Sequence, residues 1–144
     1  MENTLKYQYA LFKGLPNIDQ KIKYLKEKGL RITLIDKDSI NDYREIEHAI
    51  YLLENKIYLK QFSSKLENEF LLLLAGERQF DKAIKVYGVK NNKDFVLVSF
   101  EKDKTLDEIQ NELGIRKIGE FKKKIKTSKL LELLEKKVIK LLKD

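Results

Sequence analysis

The chain has 144 residues, no cysteine and a formal net charge of +7 at pH 7. This length suits one domain with a core of its own, and the missing cysteine excludes disulfides, thiolate metal sites and a thiol nucleophile. The longest apolar run, Phe70–Ala75, is too short to cross a membrane, and the N-terminus lacks a signal-peptide pattern, so we expect a cytoplasmic protein with no membrane partner.

The first part of the chain predicts a strand, a helix and a second strand. Leu5–Phe12 alternates apolar and polar residues, as a half-buried strand does. A helical pattern then begins at Ile18 and ends near Gly29, and Leu30–Ile35 has the pattern of the second strand.

A longer helix follows, which Ser39 or Asn41 is positioned to cap. Periodicity does not decide whether residues 56–62 continue this helix or form a short strand. The apolar side of the helix consists of Ile46, Ala49, Ile50, Leu53 and Ile57.

The middle of the chain predicts two helices that meet at a corner. Ser63 or Ser64 is positioned to cap the first, whose surface is apolar nearly all the way round, so that its last turn must be buried on several sides. Gly76 suits the left-handed conformation that ends a helix. A short helix, Asp81–Tyr87, comes next.

The last part predicts a buried strand, a helix, a short strand and a long helix. Asp94–Phe100 is apolar on both faces, as expected of a central strand. Thr105 and Glu108 have the spacing of a capping box. The remaining elements are a helix over Leu106–Leu113, a strand over Ile115–Ile118 and a helix over Ser128–Leu142.

Helices outnumber strands in this pattern and do not alternate regularly with them. The sequence therefore predicts the α+β class. We expect a single two-layer domain over residues 1–144, with a small mixed or antiparallel sheet of about four strands packed with helices.

The excess positive charge is confined to one end of the chain. Residues 115–144 hold 11 of the 30 basic residues and 4 of the 23 acidic ones, so residues 1–114 balance at 19 of each. In the last helix, lysines lie opposite an apolar side. Such a basic region favours nucleic acid, an anionic surface or an acidic protein as the partner, with plain solubilisation as the alternative.

Patterns for catalysis are missing from the sequence. It has no glycine-rich phosphate loop and no nucleophile elbow. The single histidine, His48, has no partner at metal-ligand spacing, and we expect it on a solvated helix surface. Glu67, Glu69 and Glu77 alone are poor support for a metal site. We therefore expect a protein that is not an enzyme and has neither a cofactor nor a metal.

The corner after Gly76 carries residues that a simple turn does not need. Arginine binds phosphate in a bidentate way, and glutamine can bind a base edge or a ribose hydroxyl. Arg78 and Gln79 come just before a helix N-terminus, and Phe80 and Tyr87 offer stacking surfaces. The alternative is an arginine paired with a neighbouring carboxylate, Glu77 or Asp81, and a glutamine that only caps a helix.

The order of these elements resembles a known family. A glutamate-rich apolar helix runs into a corner of small residue, glycine, any residue, arginine and glutamine, followed by a short helix, a glycine and a valine-rich strand. The chain is similar here to the small kinase-binding subunit of the KEOPS tRNA-modification complex, the PRPK-binding protein family. The similarity is firmest over residues 63–100. The matching positions are Ile46–Leu53, Glu69–Leu74, Ala75–Gln79, Ala83, Ile84, Gly88 and Val96–Val98.

The resemblance implies a non-catalytic accessory subunit. Such a protein binds an atypical Bud-type kinase/ATPase and the single-stranded 3′ CCA end of tRNA, and it supports the threonylcarbamoyladenosine modification of tRNA. The match to the family's motif assigns tRNA binding to Arg78 and Gln79. From their charge and position, we expect Lys60, Lys82 and Lys85 to bind tRNA as well.

The kinase-binding surface needs a partly apolar centre. The candidates are the exposed members of a leucine set in the last helix and the outer side of the first helix. A plain protein–protein interaction module that does not bind RNA is the alternative function. The leucine set is Leu130, Leu131, Leu133 and Leu134.

Overall fold

The computed structural model describes residues 5–55 and 61–142. These residues confirm the predicted α+β class and the sheet of four strands, which is antiparallel throughout. None of the helices in the described ranges is long and apolar enough to cross a membrane. In chain order the elements are β1 (Gln8–Phe12), α1 (Ile18–Lys28), β2 (Ile32–Asp36), a 3-10 turn (Lys37–Ser39), α2 (Arg44–Glu54), α3 (Leu66–Ala75), α4 (Phe80–Tyr87), β3 (Phe95–Ser99), α5 (Leu106–Leu113), β4 (Lys117–Gly119) and α6 (Thr127–Leu142).

The chain divides into two compact units, a sheet unit of residues 6–39 and 88–121 and a helical unit whose described residues are 5, 40–55, 61–87 and 122–142. The first contains all four strands with α1 and α5, and the second contains the other four helices. The prediction of a single domain over residues 1–144 stays a prediction.

The sheet unit has the strand order β2-β3-β1-β4. Leu97 of β3 pairs with Leu34 of β2 on one side and with Ala10 of β1 on the other, so β3 is an inner strand, as its apolar sequence predicts. Helices α1 and α5 cover one face of the sheet. The core between them is made of Ala10, Phe12, Ile18, Leu25, Leu30, Ile32, Leu34, Phe95, Leu97, Ile109, Leu113 and Ile115.

Local signals set the start of α5. The Thr105 hydroxyl accepts a bond from the Glu108 N–H at 3.1 Å, and the Glu108 carboxylate accepts one from the Thr105 N–H at 3.1 Å. The predicted capping box and the bounds of this helix are both confirmed. The sequence pattern places the last strand too early, because Ile115 lies in the core and β4 begins at Lys117.

The helical unit is arranged around α3, which contacts α2, α4 and α6. Five consecutive side chains of this helix, Phe70 to Leu74, are at most 2% exposed. A helix surrounded on several sides can be apolar on every side, and the prediction that its last turn is buried is confirmed.

The start of α2 differs from the prediction. Neither Ser39 nor Asn41 caps it, and its N-cap position is Tyr43. The buried Asp42 carboxylate accepts bonds from the Arg44 N–H at 2.8 Å and from the Arg44 side chain at 2.8 and 3.0 Å. A carboxylate satisfies a helix N-terminus as well as a hydroxyl does and also favours the positive end of the helix dipole.

The same carboxylate fixes the segment that leads into α6. Asp42 accepts the Ile125 N–H at 2.9 Å, and the Arg44 guanidinium donates to the Ile125 carbonyl at 3.1 Å. The Tyr43 N–H donates to the Lys123 carbonyl at 2.8 Å. Two chain segments far apart in sequence are therefore joined through one buried charge.

Candidate nucleic-acid interface

The corner between α3 and α4 begins with a left-handed glycine. Gly76 has a φ of 65°, and its N–H donates to the Leu73 carbonyl. The Glu77 N–H donates to the Leu72 carbonyl at 3.0 Å. This pair of bonds is a Schellman ending, which satisfies two carbonyl groups of the last turn and confirms the predicted role of the glycine.

Helix α6 lies directly against this corner. A Cβ atom at Gly76 would fall 2.8 Å from Lys137 Cβ and 2.9 Å from Lys137 Cα, so no larger residue fits there without a shift of the backbone. One turn further along α6, the Lys140 ammonium pairs with the Glu77 carboxylate. The C-terminal helix therefore contacts the two residues that precede Arg78.

Arg78 and Gln79 are both exposed. The guanidinium carbon of Arg78 lies 5.6 Å from the centroid of the Phe62 ring, which is cation–π distance. Within the described ranges no carboxylate forms an ion pair with Arg78, so the alternative in which Glu77 or Asp81 neutralises it is not what the structure has. The arginine is oriented by an aromatic ring, and its charge faces solvent.

The backbone that carries the ring beneath Arg78 is held in place. The buried Glu69 carboxylate accepts the Phe62 N–H at 3.0 Å and the Ser63 N–H at 2.8 Å. The expectation that Ser63 or Ser64 caps α3 is wrong: the N-cap position is Lys65, without a side-chain bond. A carboxylate one turn inside the helix binds the incoming chain instead.

Helix α4 presents the other predicted contacts. Its first internal bond runs from the Ala83 N–H to the Gln79 carbonyl, so Gln79 occupies the position before the first turn, whose N–H groups have no partner within the helix. Lys82 and Lys85 are exposed and lie one turn apart on the same side. Lys60, the fifth predicted residue, lies outside the described residues.

The two aromatic residues of α4 differ in their surroundings. Phe80 is 37% exposed and keeps a face for stacking. Tyr87 is half-buried, and the Lys137 ammonium lies 5.4 Å from its ring centroid. Burial and the nearby Glu45 carboxylate raise the pKa of Tyr87 to about 12. Tyr87 therefore belongs to the interior of the unit and is removed from the candidate stacking surface.

Lys137 is a buried residue that the sequence pattern does not reveal. Its ammonium pairs with the fully buried Glu45 carboxylate, which also accepts the N–H groups of Asn41 and Asp42. Burial lowers the pKa of Lys137, against the opposing effect of Glu45. His48 is half-buried rather than solvated, and burial, with the Lys137 charge, lowers its pKa.

The four predicted partner-binding leucines of α6 do not share one environment. Leu130 is buried, which removes it from the candidate surface, and Leu133 and Leu134 are half-buried. Leu131 is 60% exposed. Helical spacing places two further exposed residues, Ile139 and Leu142, on the side of Leu131. We call Leu131, Ile139 and Leu142 the α6 apolar strip.

A second exposed side of α6 is basic. Lys129, Lys136 and Lys140 are exposed there, and Lys143 lies outside the described residues. Because Lys140 reaches Glu77, this side is continuous with the corner that carries Arg78. The two basic features that the sequence predicts separately therefore belong to one surface of the helical unit.

No group of three or more metal-binding side chains is present in residues 5–55 and 61–142. No protein-family model matches the chain, and none of the curated proteins matches it. The family assignment therefore remains a prediction from the motif at the corner.

Proposed function

We propose that the protein is a non-catalytic accessory subunit that binds the single-stranded 3′ CCA end of tRNA. In this proposal it also binds a Bud-type kinase/ATPase in the cytoplasm and supports the threonylcarbamoyladenosine modification of tRNA. The kinase, the CCA end and the modification come from the resemblance to the KEOPS subunit. The geometry supports the more general part, an anion-binding corner on a basic surface.

The observation that carries the proposal is the state of Arg78. Its guanidinium is exposed, lies above the Phe62 ring, and has no ion pair within the described part of the chain. An arginine that only stabilises a turn would be expected to pair with one of its two carboxylate neighbours. An oriented guanidinium with free donors is suited to bidentate binding of a phosphate.

The surroundings of Arg78 fit a single-stranded end better than a duplex. Gln79 stands at the start of α4, where its side-chain amide can bind a base edge or a 2′-hydroxyl. Phe80 is partly exposed for base stacking. Lys82 and Lys85 supply positive charge along the path of a backbone. Proteins recognise single strands by this combination of stacking, edge contacts and charge.

The partner site is proposed on the α6 apolar strip, where apolar side chains are exposed on the surface of a charged helix. A specific protein interface needs such a desolvated centre with a polar rim. Glu135, four residues from both Leu131 and Ile139 and exposed, supplies a polar group beside the strip. In this arrangement the kinase binds the α6 apolar strip, and the RNA binds the corner that carries Arg78.

One observation favours the alternative, a protein-interaction module without RNA binding. Ile84 and Val86 of α4 are exposed beside the two lysines, and aliphatic side chains of this kind contribute to protein interfaces. The two functions differ in the response to salt, because RNA binding releases counterions and protein binding through an apolar centre releases few.

The experiment is a titration of the purified chain with labelled tRNA and with the same tRNA lacking its CCA end, at several salt concentrations. The proposal predicts salt-dependent binding that is stronger for the intact tRNA. Binding of neither RNA, or binding that ignores the CCA end, contradicts it.

A further inference from the structure

Lys140 is distinguished from the other exposed lysines of α6 by its contact. It pairs with the Glu77 carboxylate, and their side chains are 57% and 19% exposed. Lys129 and Lys136 are exposed on the same side of the helix and have no ion pair within the described ranges. Lys140 therefore acts on one particular carboxylate, whereas the other two contribute only to the overall charge.

That carboxylate is one of the two sequence neighbours that could pair with Arg78, the other being Asp81. Glu77 and Arg78 are consecutive, so their Cα atoms are about 3.8 Å apart. A phosphate bound to Arg78 would lie well within a Debye length, about 8 Å at physiological salt, of an unpaired Glu77. Without a cation of its own, Glu77 would repel the phosphate or pair with the arginine.

We propose that Lys140 is a positioning residue for the anion site: by holding Glu77, it leaves the Arg78 guanidinium free to bind phosphate. The inference rests on the proposed RNA-binding function and adds to it a role for the C-terminal helix. Contact of α6 with Gly76 at Lys137, one turn earlier, places Lys140 where it can reach Glu77. Lys140 thus controls the charge of the corner without itself contacting the RNA.

This role differs from a direct contact between Lys140 and a phosphate. If Lys140 acts through Glu77, replacing it weakens RNA binding only while Glu77 carries a charge. Lys140→Gln then weakens binding, and adding Glu77→Gln restores it. If Lys140 binds a phosphate itself, the weakening persists in the double variant. A double-mutant cycle separates the two roles.

The experiment measures the affinity of the full chain for a 5′-labelled single-stranded RNA ending in CCA, by fluorescence anisotropy at low salt. Four proteins form the cycle: wild type, Lys140→Gln, Glu77→Gln and the double variant. Lys136→Gln is the matched control, since it removes the same charge from an exposed residue of the same helix. Circular dichroism confirms that each variant is folded.

We expect Lys140→Gln to weaken binding about two- to fivefold, the range of partly exposed ion pairs, and more than Lys136→Gln does. Glu77→Gln should bind at least as tightly as wild type, and the double variant should match Glu77→Gln. Equal weakening by Lys140→Gln and Lys136→Gln, or no recovery in the double variant, overturns the inference and leaves the proposed function standing. Absence of RNA binding by wild type overturns both.

Discussion

The backbone of Gly76 lies so close to Lys137 that a Cβ atom on the glycine would be 2.8 Å from the Cβ of the lysine. The glycine also has a φ of 65°, which other residues adopt at a cost. Two independent requirements therefore meet at this residue, one from the end of α3 and one from the packing of α6. Both requirements fix the backbone just before Arg78.

Gly76→Ala should lower the free energy of unfolding by more than the ordinary cost of a left-handed alanine. That cost is about 1–2 kcal/mol, and the overlap with Lys137 adds about 1–3 kcal/mol. Gly29→Ala is the matched control, because Gly29 has a φ of 64° and nothing within 4 Å of the added Cβ. Urea denaturation measures both. Equal destabilisation by Gly76→Ala and Gly29→Ala would show that α6 moves away from the added Cβ at little cost.

Asp42→Asn should destabilise the protein at neutral pH and make its free energy of unfolding depend less on pH in acid. Burial raises the pKa of Asp42, but bonds from Arg44 and the Ile125 N–H outweigh this effect and lower it from 3.8 to about 2. A lowered carboxyl pKa stabilises the fold above pH 4, and the stabilisation is lost as the pH falls toward 2.

The shift of the Asp42 pKa corresponds to about 2 kcal/mol at neutral pH. Urea midpoints of wild type and Asp42→Asn, measured from pH 7 to pH 3, should converge as the pH falls. A constant difference across that range would assign the effect of the variant to packing rather than to charge.

His48 is the single histidine of the chain, and its pKa responds to the charge of Lys137 in the buried pair of Lys137 and Glu45. Burial and the Lys137 charge lower its pKa from 6.5. NMR titration should therefore give a midpoint below 6.5, and Lys137→Met should raise that midpoint in the molecules that remain folded. Because a histidine with a lowered pKa favours the folded state only while it is neutral, this contribution is lost as the pH falls through that midpoint. A wild-type midpoint at 6.5 would contradict the burial of this cluster.

Lys129 and Lys136 of α6, which have no ion pair within residues 5–55 and 61–142, should contribute attraction that does not depend on the RNA sequence. Replacing Lys129 and Lys136 by glutamine should reduce the slope of log affinity against log salt by roughly 0.7 for each phosphate that is no longer neutralised. Lys26→Gln with Lys102→Gln is the control, since both lysines are exposed residues of the sheet unit and the net charge is the same. Equal slopes in the two double variants would assign the α6 lysines to solubilisation.

Features that depend on neighbouring residues can be predicted from the sequence. The capping box at Thr105 and the glycine end of α3 are such features, because each depends on a few consecutive residues. The corner motif is likewise visible, since Arg78 and Gln79 stand out in a turn. The exposure of Lys82 and Lys85 follows from the amphipathic pattern of a short helix.

Contacts between distant residues cannot be predicted in this way. Lys137 and Glu45 are 92 positions apart, and a lysine in a lysine-rich helix carries no sign that it is buried. The sequence favours serine or asparagine at the starts of α2 and α3, whereas the carboxylates of Asp42 and Glu69 bind the chain there. A carboxylate inside or just before a helix looks like an ordinary surface charge until the fold places a donor beside it.

The binding of tRNA by Arg78→Glu tests the central claim most directly. Removal of a charge-assisted hydrogen bond costs about 1.5–3 kcal/mol, which is roughly ten- to hundredfold in affinity, and the added charge repels the phosphate as well. Arg116→Glu is the matched control, because it makes the same charge change at an exposed residue of the sheet unit. The account predicts that Arg78→Glu weakens binding at least tenfold for intact tRNA and little for tRNA trimmed of CCA, while Arg116→Glu binds both like wild type. A folded Arg78→Glu protein that binds intact tRNA as tightly as Arg116→Glu does would contradict it.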